Sequence, residues 1–309
     1  MTKVKNYLSL IKFSHTIFAL PFALIGFFYG IIDLEKIPHV YYNMNLIDSN
    51  LKKVKLFLEN NWYVFILVLL CMIFARSAAM SFNRYLDRNF DAKNPRTSIR
   101  EIPAGIISAN SALLFTILTS VLFIITTYFI NPLCFYLSPV ALLVVLGYSY
   151  TKRFTALCHL VLGLGLSLAP IGAYLAVTGK FALLPILFSF AVLFWVSGFD
   201  IIYALQDEEF DKEYNLKSIP AWLGKSKALH VSELLHVLSA LCVIAAGFYG
   251  NFGWLYWIAV AVFTGMLIFQ HSIVKPDDLR KVNIAFMTAN GIASVVFAVF
   301  VIADILVSR

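Results

Sequence analysis

Long apolar runs separated by short polar stretches dominate this chain. Nine of them, at approximately 8–32, 61–82, 110–130, 133–150, 155–177, 182–205, 228–249, 252–272 and 284–306, are long enough to cross a bilayer as helices. At a rise of 1.5 Å per residue, roughly 20 apolar residues cover the ~30 Å hydrocarbon core. Lipid offers no hydrogen bonds, so each span must satisfy its own backbone, which a helix does. The pattern therefore predicts an all-α, polytopic membrane protein with about nine transmembrane helices, forming a single domain over residues 1–309. The first apolar run is too long for a signal-peptide core and lacks a small-residue cleavage site, which predicts a retained first helix.

Three polar stretches interrupt the pattern. Residues 33–60 contain Leu51-Lys-Lys-Val-Lys-Leu-Phe-Leu58, which predicts a short interfacial helix. Residues 83–109 and 206–227 each continue a helix beyond its apolar run, then break at Asn94-Pro95 or near Ile219-Pro220. One such helix end and loop per half is compatible with a weak internal duplication, although no self-similarity elsewhere supports it.

Composition agrees with a membrane protein. With 61% hydrophobic residues, 13% charged residues and a mean hydropathy of +0.83, the chain is unlike a soluble domain. Soluble proteins carry roughly 25% charged residues. Most of the 24 Lys and Arg residues fall on the N-terminus and one set of loops, which predicts a cell (inner) membrane protein with the N-terminus and both polar clusters in the cytoplasm. Their scatter over short loops excludes a nucleic-acid-binding stripe. Cys71, Cys134, Cys158 and Cys242 all lie within predicted spans without a CxxC pair, as free thiols packed among hydrophobes.

More than half of the 17 acidic residues lie in the two polar clusters and their flanks. Ionised carboxylates beside hydrocarbon persist when paired, metal-bound or functional. Asn83, Asp87 and Asp91 are four residues apart, hence on one helical face with origins about 6 Å apart along the axis. Asp200, Asp207 and Asp211 follow at spacings of seven and four, again predicting one face. Two such ladders form a hard-oxygen site suited to Mg²⁺ shared with a phosphate. No His or Cys lies at ligand spacing near either cluster, which excludes zinc. Arg84, Arg88, Lys93, Arg96 and Arg100 crowd the first cluster, and Lys152-Arg153 end the fourth span. Carboxylates for Mg²⁺ beside guanidinium and ammonium groups describe a diphosphate pocket.

These residues resemble the UbiA superfamily of intramembrane prenyltransferases. Asn83-Arg84-x-x-Asp87-x-x-x-Asp91, with Asn94-Pro95-Arg96-Thr97 and Arg100-x-x-Pro103-Ala-Gly105 after it, is similar to the family's first motif. Tyr203-Ala-x-x-Asp207-x-x-x-Asp211, followed by Lys217-Ser218-Ile219-Pro220, is similar to the second. The resemblance implies a helical bundle around a lipid-open cavity, with Mg²⁺ bridging the motifs to a prenyl diphosphate. Asn83, Asp87, Asp91, Asp207 and Asp211 would then be metal ligands, and Arg84, Lys152 and Arg153 diphosphate contacts. The motifs look most like the 4-hydroxybenzoate branch. That implies transfer of a polyprenyl group to an aromatic acid, 4-hydroxybenzoate or a dihydroxynaphthoate, in ubiquinone or menaquinone biosynthesis.

Other residues carry expectations with alternatives. Asp200, deeper than Asp207, either orients or deprotonates the acceptor's phenol or partners a Lys or Tyr. Arg76, inside a span, binds an acceptor carboxylate or pairs with Asp200 or another acid. Lys12 and His15 start the first helix, where the resemblance implies an aromatic acceptor nearby; Lys12 also fits a side chain snorkelling to the interface. Tyr148 and Tyr203 are candidates to flank the reacting carbons, where aromatic faces stabilise an allylic cation. Gly163-x-Gly165 predicts close helix packing. An ion-coupled secondary transporter also fits a polytopic chain with intramembrane acids, although transporter acids tend toward the bilayer midplane.

Overall fold

The computed structural model describes residues 3–12, 16, 18–34 and 49–307. Among these, twelve α-helices follow one another: α1 Lys3–Leu10, α2 Leu20–Asp33, α3 Asn50–Asp91, α4 Ala109–Tyr128, α5 Pro132–Thr151, α6 Cys158–Thr178, α7 Leu183–Ala204, α8 Glu208–Glu213, α9 Ile219–Leu223, α10 Lys225–Tyr249, α11 Trp254–Ile273 and α12 Asn290–Val307. A 3₁₀ turn, Leu205–Asp207, joins α7 to α8, and a π-helical turn, Ile284–Ala289, leads into α12. Eight helical stretches are long and apolar enough to cross a membrane, and the apolar helix Leu20–Asp33 is shorter. The chain is an all-helical, multi-pass membrane protein.

The expected first span, 8–32, is two helices. The chain turns at Ile11-Lys12, where Lys12 has φ 47°, and α2 begins at Leu20. Pro21 explains the restart: it has no N–H to donate to a preceding turn, and it is tolerated in the first turn, where that donor is unsatisfied anyway. In the opposite sense, the expected interfacial helix and second span are one 42-residue helix, α3, kinked at Asn61 (φ −132°, ψ 28°). At about 63 Å, α3 is twice the hydrocarbon thickness, so both its ends project beyond the apolar layer.

Start signals place other helices. Asn131 accepts from Cys134 N at 2.9 Å ahead of Pro132 in α5, and Ser108 accepts from Ser111 N at 3.1 Å to begin α4. α6 is packed between α2, α5 and α7, while α10 covers α7 and α11 packs on α12. Two glycines let neighbouring helix backbones approach closely. A Cβ on Gly26 would stand 2.0 Å from the Pro170 carbonyl oxygen of α6. One on Gly163 would stand 2.4 Å from the Leu193 carbonyl oxygen of α7, which bears out the packing expected there.

The main core is aromatic. Trp195, fully buried, meets Phe22, Phe199 and Phe263 with ring centroids 5.2–5.7 Å apart. Its indole Nε1 donates to Asn290 Oδ1 at 2.8 Å, which also accepts from Gln270 Nε2 at 2.8 Å. Asn290 Nδ2 in turn donates to the carbonyls of Ala285 and Phe286 in the π-helical turn. A buried polar group is tolerated here because the Trp195 indole and both ends of the Asn290 amide are paired. This core holds α7 and the chain leading into α12 rigid behind the site.

Candidate active site

One cavity of about 990 Å³ opens among α3, α5, α6 and α7. The two polar clusters meet at one end of it, and small and apolar side chains such as Val68, Leu137, Leu166 and Ala173 line the remainder. Lys12, Arg76, Asn83, Arg84, Asp87, Asp91, Tyr148, Lys152, Arg153, Asp200, Tyr203, Asp207 and Asp211 all line it. His15 lies outside the described residues.

The end of α3 keeps the predicted ladder, with Asn83 Nδ2 donating to Asp87 Oδ2 at 3.0 Å across one turn. On the second cluster the α-helix is interrupted between the acids. α7 ends at Ala204, and the 3₁₀ turn through Asp207 re-aims the chain before α8 carries Asp211. A 3₁₀ turn advances three residues per turn instead of 3.6, which shifts Asp207 round the axis by only a fraction of a turn. The acids still share the cavity.

Each of the four motif carboxylates is held by a cation. Arg153 Nη2 lies 2.9 Å from Asp87 Oδ1, and Arg100 Nη1 lies 2.6 Å from Asp91 Oδ1. Arg96 grips Asp207 through Nε at 3.0 Å and Nη2 at 2.5 Å, and Asn94 Nδ2 donates to the same carboxylate at 3.2 Å. Lys152 Nζ lies 2.7 Å from Asp211 Oδ1, and Ser218 Oγ donates to Asp211 Oδ2 at 2.7 Å. Asp211 is fully buried. Burial works against the Lys152 ammonium, but the Asp211 carboxylate outweighs it and raises the Lys152 pKa. Arg96 is likewise desolvated, with the hydrogen bond and charge of Asp207 carrying its pKa upward.

Arg84 is buried at 4.0 Å from Asp91 Oδ2. Among the described residues, that carboxylate oxygen is buried without a hydrogen-bond donor and Arg84 Nε is buried without an acceptor. Arg76 does not pair with Asp200; its Nη2 donates to the Lys12 carbonyl at 2.9 Å, and its buried Nε has no partner among the described residues. Asp200 instead meets His159, Nδ1 to Oδ2, at 2.7 Å. Tyr203 is held between neighbours: its ring centroid lies 4.3 Å from that of Phe286 with the planes tilted by 32°, and Arg96 donates to its hydroxyl at 3.0 Å. Lys12 is exposed at the cavity's edge.

Among the described residues, no three His, Cys, Asp or Glu side chains stand close enough to hold one metal ion as arranged. The donors are nonetheless those a hard cation takes: four carboxylates, an amide, and in Asp91 Oδ2 a buried oxygen without a donor. Placing an ion there requires the ion pairs to open.

Two residues of the site had no role assigned from sequence. Ser218 belongs to the second motif's continuation, and His159 is an ionisable residue inside an apolar span, a signal that marks functional candidates by default.

The UbiA prenyltransferase family profile matches residues 57–292. A 4-hydroxybenzoate octaprenyltransferase of Tolumonas auensis is 31% identical over 235 residues, covering 74% of this chain and 79% of that protein. One of Nitrosospira multiformis is 30% identical over 235 residues, covering 76% and 81%. Among solved structures, the apo structure of a UbiA homolog from Aeropyrum pernix K1 aligns with a TM-score of 0.73 at 26% identity over 94% of this chain and 96% of that one. A UbiA homolog from Archaeoglobus fulgidus, bound to GPP and Mg²⁺, aligns at 0.67 and 22% identity over 97% and 99%, a likeness of fold.

Proposed function

This chain belongs to the UbiA prenyltransferase family, and from that premise we propose that it transfers a polyprenyl group from its diphosphate to an aromatic acid, 4-hydroxybenzoate or a dihydroxynaphthoate, in ubiquinone or menaquinone biosynthesis. The observation that carries this reading is the cavity itself: charged at one end, apolar along the rest, and bounded by both motifs. A diphosphate head and a hydrocarbon tail need such a division. The relatives named 4-hydroxybenzoate octaprenyltransferase support the acceptor class and a long donor. The whole chain acts as one catalytic unit in the cell (inner) membrane, with the N-terminus and both motifs cytoplasmic, as the distribution of basic residues supports.

Asn83, Asp87, Asp91, Asp207 and Asp211 would hold Mg²⁺, a use of divalent metal supported by the Mg²⁺-bound family structure. Bound there, Mg²⁺ would neutralise charge on the departing diphosphate. Arg84, Lys152 and Arg153 bind diphosphate oxygens when their carboxylates turn away. The prenyl chain lies along the apolar wall, which keeps water from the allylic carbon. Tyr148 and Tyr203 present aromatic faces to that carbon; Tyr203 is fixed for the task by Phe286 and Arg96. Arg76, whose Nε lacks a partner among the described residues, binds the acceptor carboxylate, with Lys12 beside it. Asp200 accepts the proton of the acceptor hydroxyl, which raises electron density on the attacking ring carbon.

The test is prenyl transfer by purified protein in detergent, with a long-chain prenyl diphosphate, Mg²⁺ and each acceptor, against an EDTA control. The expected result is Mg²⁺-dependent prenylated product, the better acceptor naming the pathway. Intact protein that prenylates no aromatic acid would overturn the acceptor class.

A further inference from the structure

We propose that His159 is the positioning residue that aims Asp200 at the acceptor hydroxyl, and that the Ser218-Ile219 pair ties this aim to the diphosphate end of the cavity. The inference rests on the prenyl-transfer reading above. His159 lies one residue into α6 and is only 3% exposed. Its Nε2 faces the Ile219 backbone N–H at 3.3 Å. An amide N–H can only donate, so Nε2 accepts and the imidazole proton sits on Nδ1. Nδ1 therefore donates to Asp200 Oδ2 at 2.7 Å. His159 is the one hydrogen-bond partner of Asp200 among the described residues, and the carboxylate, 24% exposed, faces the cavity.

The neighbouring residue in the chain serves the other end. Ser218 Oγ donates to Asp211 Oδ2, and Lys217 N donates to the Lys152 carbonyl at 2.6 Å. Three consecutive residues thus fix the lysine and aspartate at the diphosphate end and, through His159, the base at the acceptor end. In the step this serves, the acceptor O–H bond breaks, its proton passes to Asp200 and the electron pair stays on the phenolate. The ring carbon then bonds to the allylic carbon while the C–O bond to diphosphate breaks, the diphosphate leaving with that pair. The ring proton moves to the oxygen as aromaticity returns, and Asp200 gives up its proton as the products leave, which resets the base.

Two substitutions separate the bonds. H159Q keeps an oxygen near the Nε2 position for Ile219 N–H and withdraws the donor from Asp200. H159N keeps a donor near Nδ1. In the prenyl-transfer assay H159Q is expected to lower kcat about 10- to 100-fold, part of what a positioned base contributes, with donor KM within about twofold. H159N is expected to recover most of the loss. Because His159 acts through Asp200, adding H159Q to D200N should cost nothing further. Should H159Q not fold, H159L takes its place with the same expectation. Wild-type turnover in H159Q, or an undiminished loss on the D200N background, would overturn the inference alone. Absence of transfer by the wild-type protein would overturn the functional reading and this inference with it.

Discussion

Each motif carboxylate faces a cationic partner, and that governs what single substitutions do. Asp87→Asn and Asp207→Asn preserve shape while removing the charge that faces Arg153 and Arg96. Both should lower prenyl transfer by at least about 100-fold, the scale of losing charge stabilisation at a departing group, while the protein still inserts and remains folded. Full activity in either would remove both ladders from the chemistry. Arg96→Lys tests geometry against charge. A lysine keeps the positive charge but not the two-point grip on Asp207, so activity should fall well below wild type in the same assay. The Lys152–Asp211 pair adds a pH dependence. A lysine whose pKa is raised on folding stabilises the fold fully below its unfolded value near 10.4 and loses that contribution as pH rises through the folded value. The difference in Tm between wild type and Lys152→Met should therefore be constant from about pH 6 to 9 and shrink only above about 10. At this scale the sequence was informative wherever spacing carries geometry. Four-residue intervals put Asn83, Asp87 and Asp91 on one face, whereas the His159–Asp200 contact joins residues 41 apart and has no local signature.

Helices were legible where apolar length decides them and illegible where a single dihedral does. The spans from α4 to α12 lie within a few residues of their expected bounds, because hydrocarbon thickness fixes their length. The break before Pro21, the kink at Asn61 and the 3₁₀ turn at Leu205–Asp207 each depend on one or two residues' backbone angles inside an apolar or amphipathic run. Glycine spacing hinted at close packing but did not say which glycine carried it. The structure does: Gly163 has the α7 backbone against it, while Gly147 has open space where a Cβ would go. Gly163→Ala should therefore push α6 from α7 and destabilise the protein by about 1–3 kcal/mol. Gly147→Ala should be neutral or stabilising by up to about 1 kcal/mol, since alanine is the better helix former. Thermal unfolding in one detergent compares the two directly, and equal effects would refute the packing assignment.

At the scale of the molecule, the two motifs come from opposite halves of the chain and reach one another as opposed charges already neutralised. Asp87, Asp91, Asp207 and Asp211 are each matched by Arg153, Arg100, Arg96 and Lys152. A divalent cation arriving alone would take carboxylates and strand the basic partners; a diphosphate arriving alone would take the basic groups and strand the carboxylates. Buried, unpaired charge is costly in either case. Arriving together, cation and anion let each set of side chains exchange one partner for another, and no charge is left bare. Binding of the two should therefore be strongly cooperative, and by linkage each should raise the other's affinity by the same factor. Titration of the purified protein with inorganic pyrophosphate, with and without Mg²⁺, measures that factor. The expected result is a Kd for pyrophosphate at least about tenfold tighter with saturating Mg²⁺, a coupling of about 1.4 kcal/mol or more. The effect should be lost when Asp87→Asn and Asp207→Asn are combined. Equal affinity with and without the metal would mean that the ion pairs do not open on binding, and that the carboxylates serve only to hold the basic residues in place.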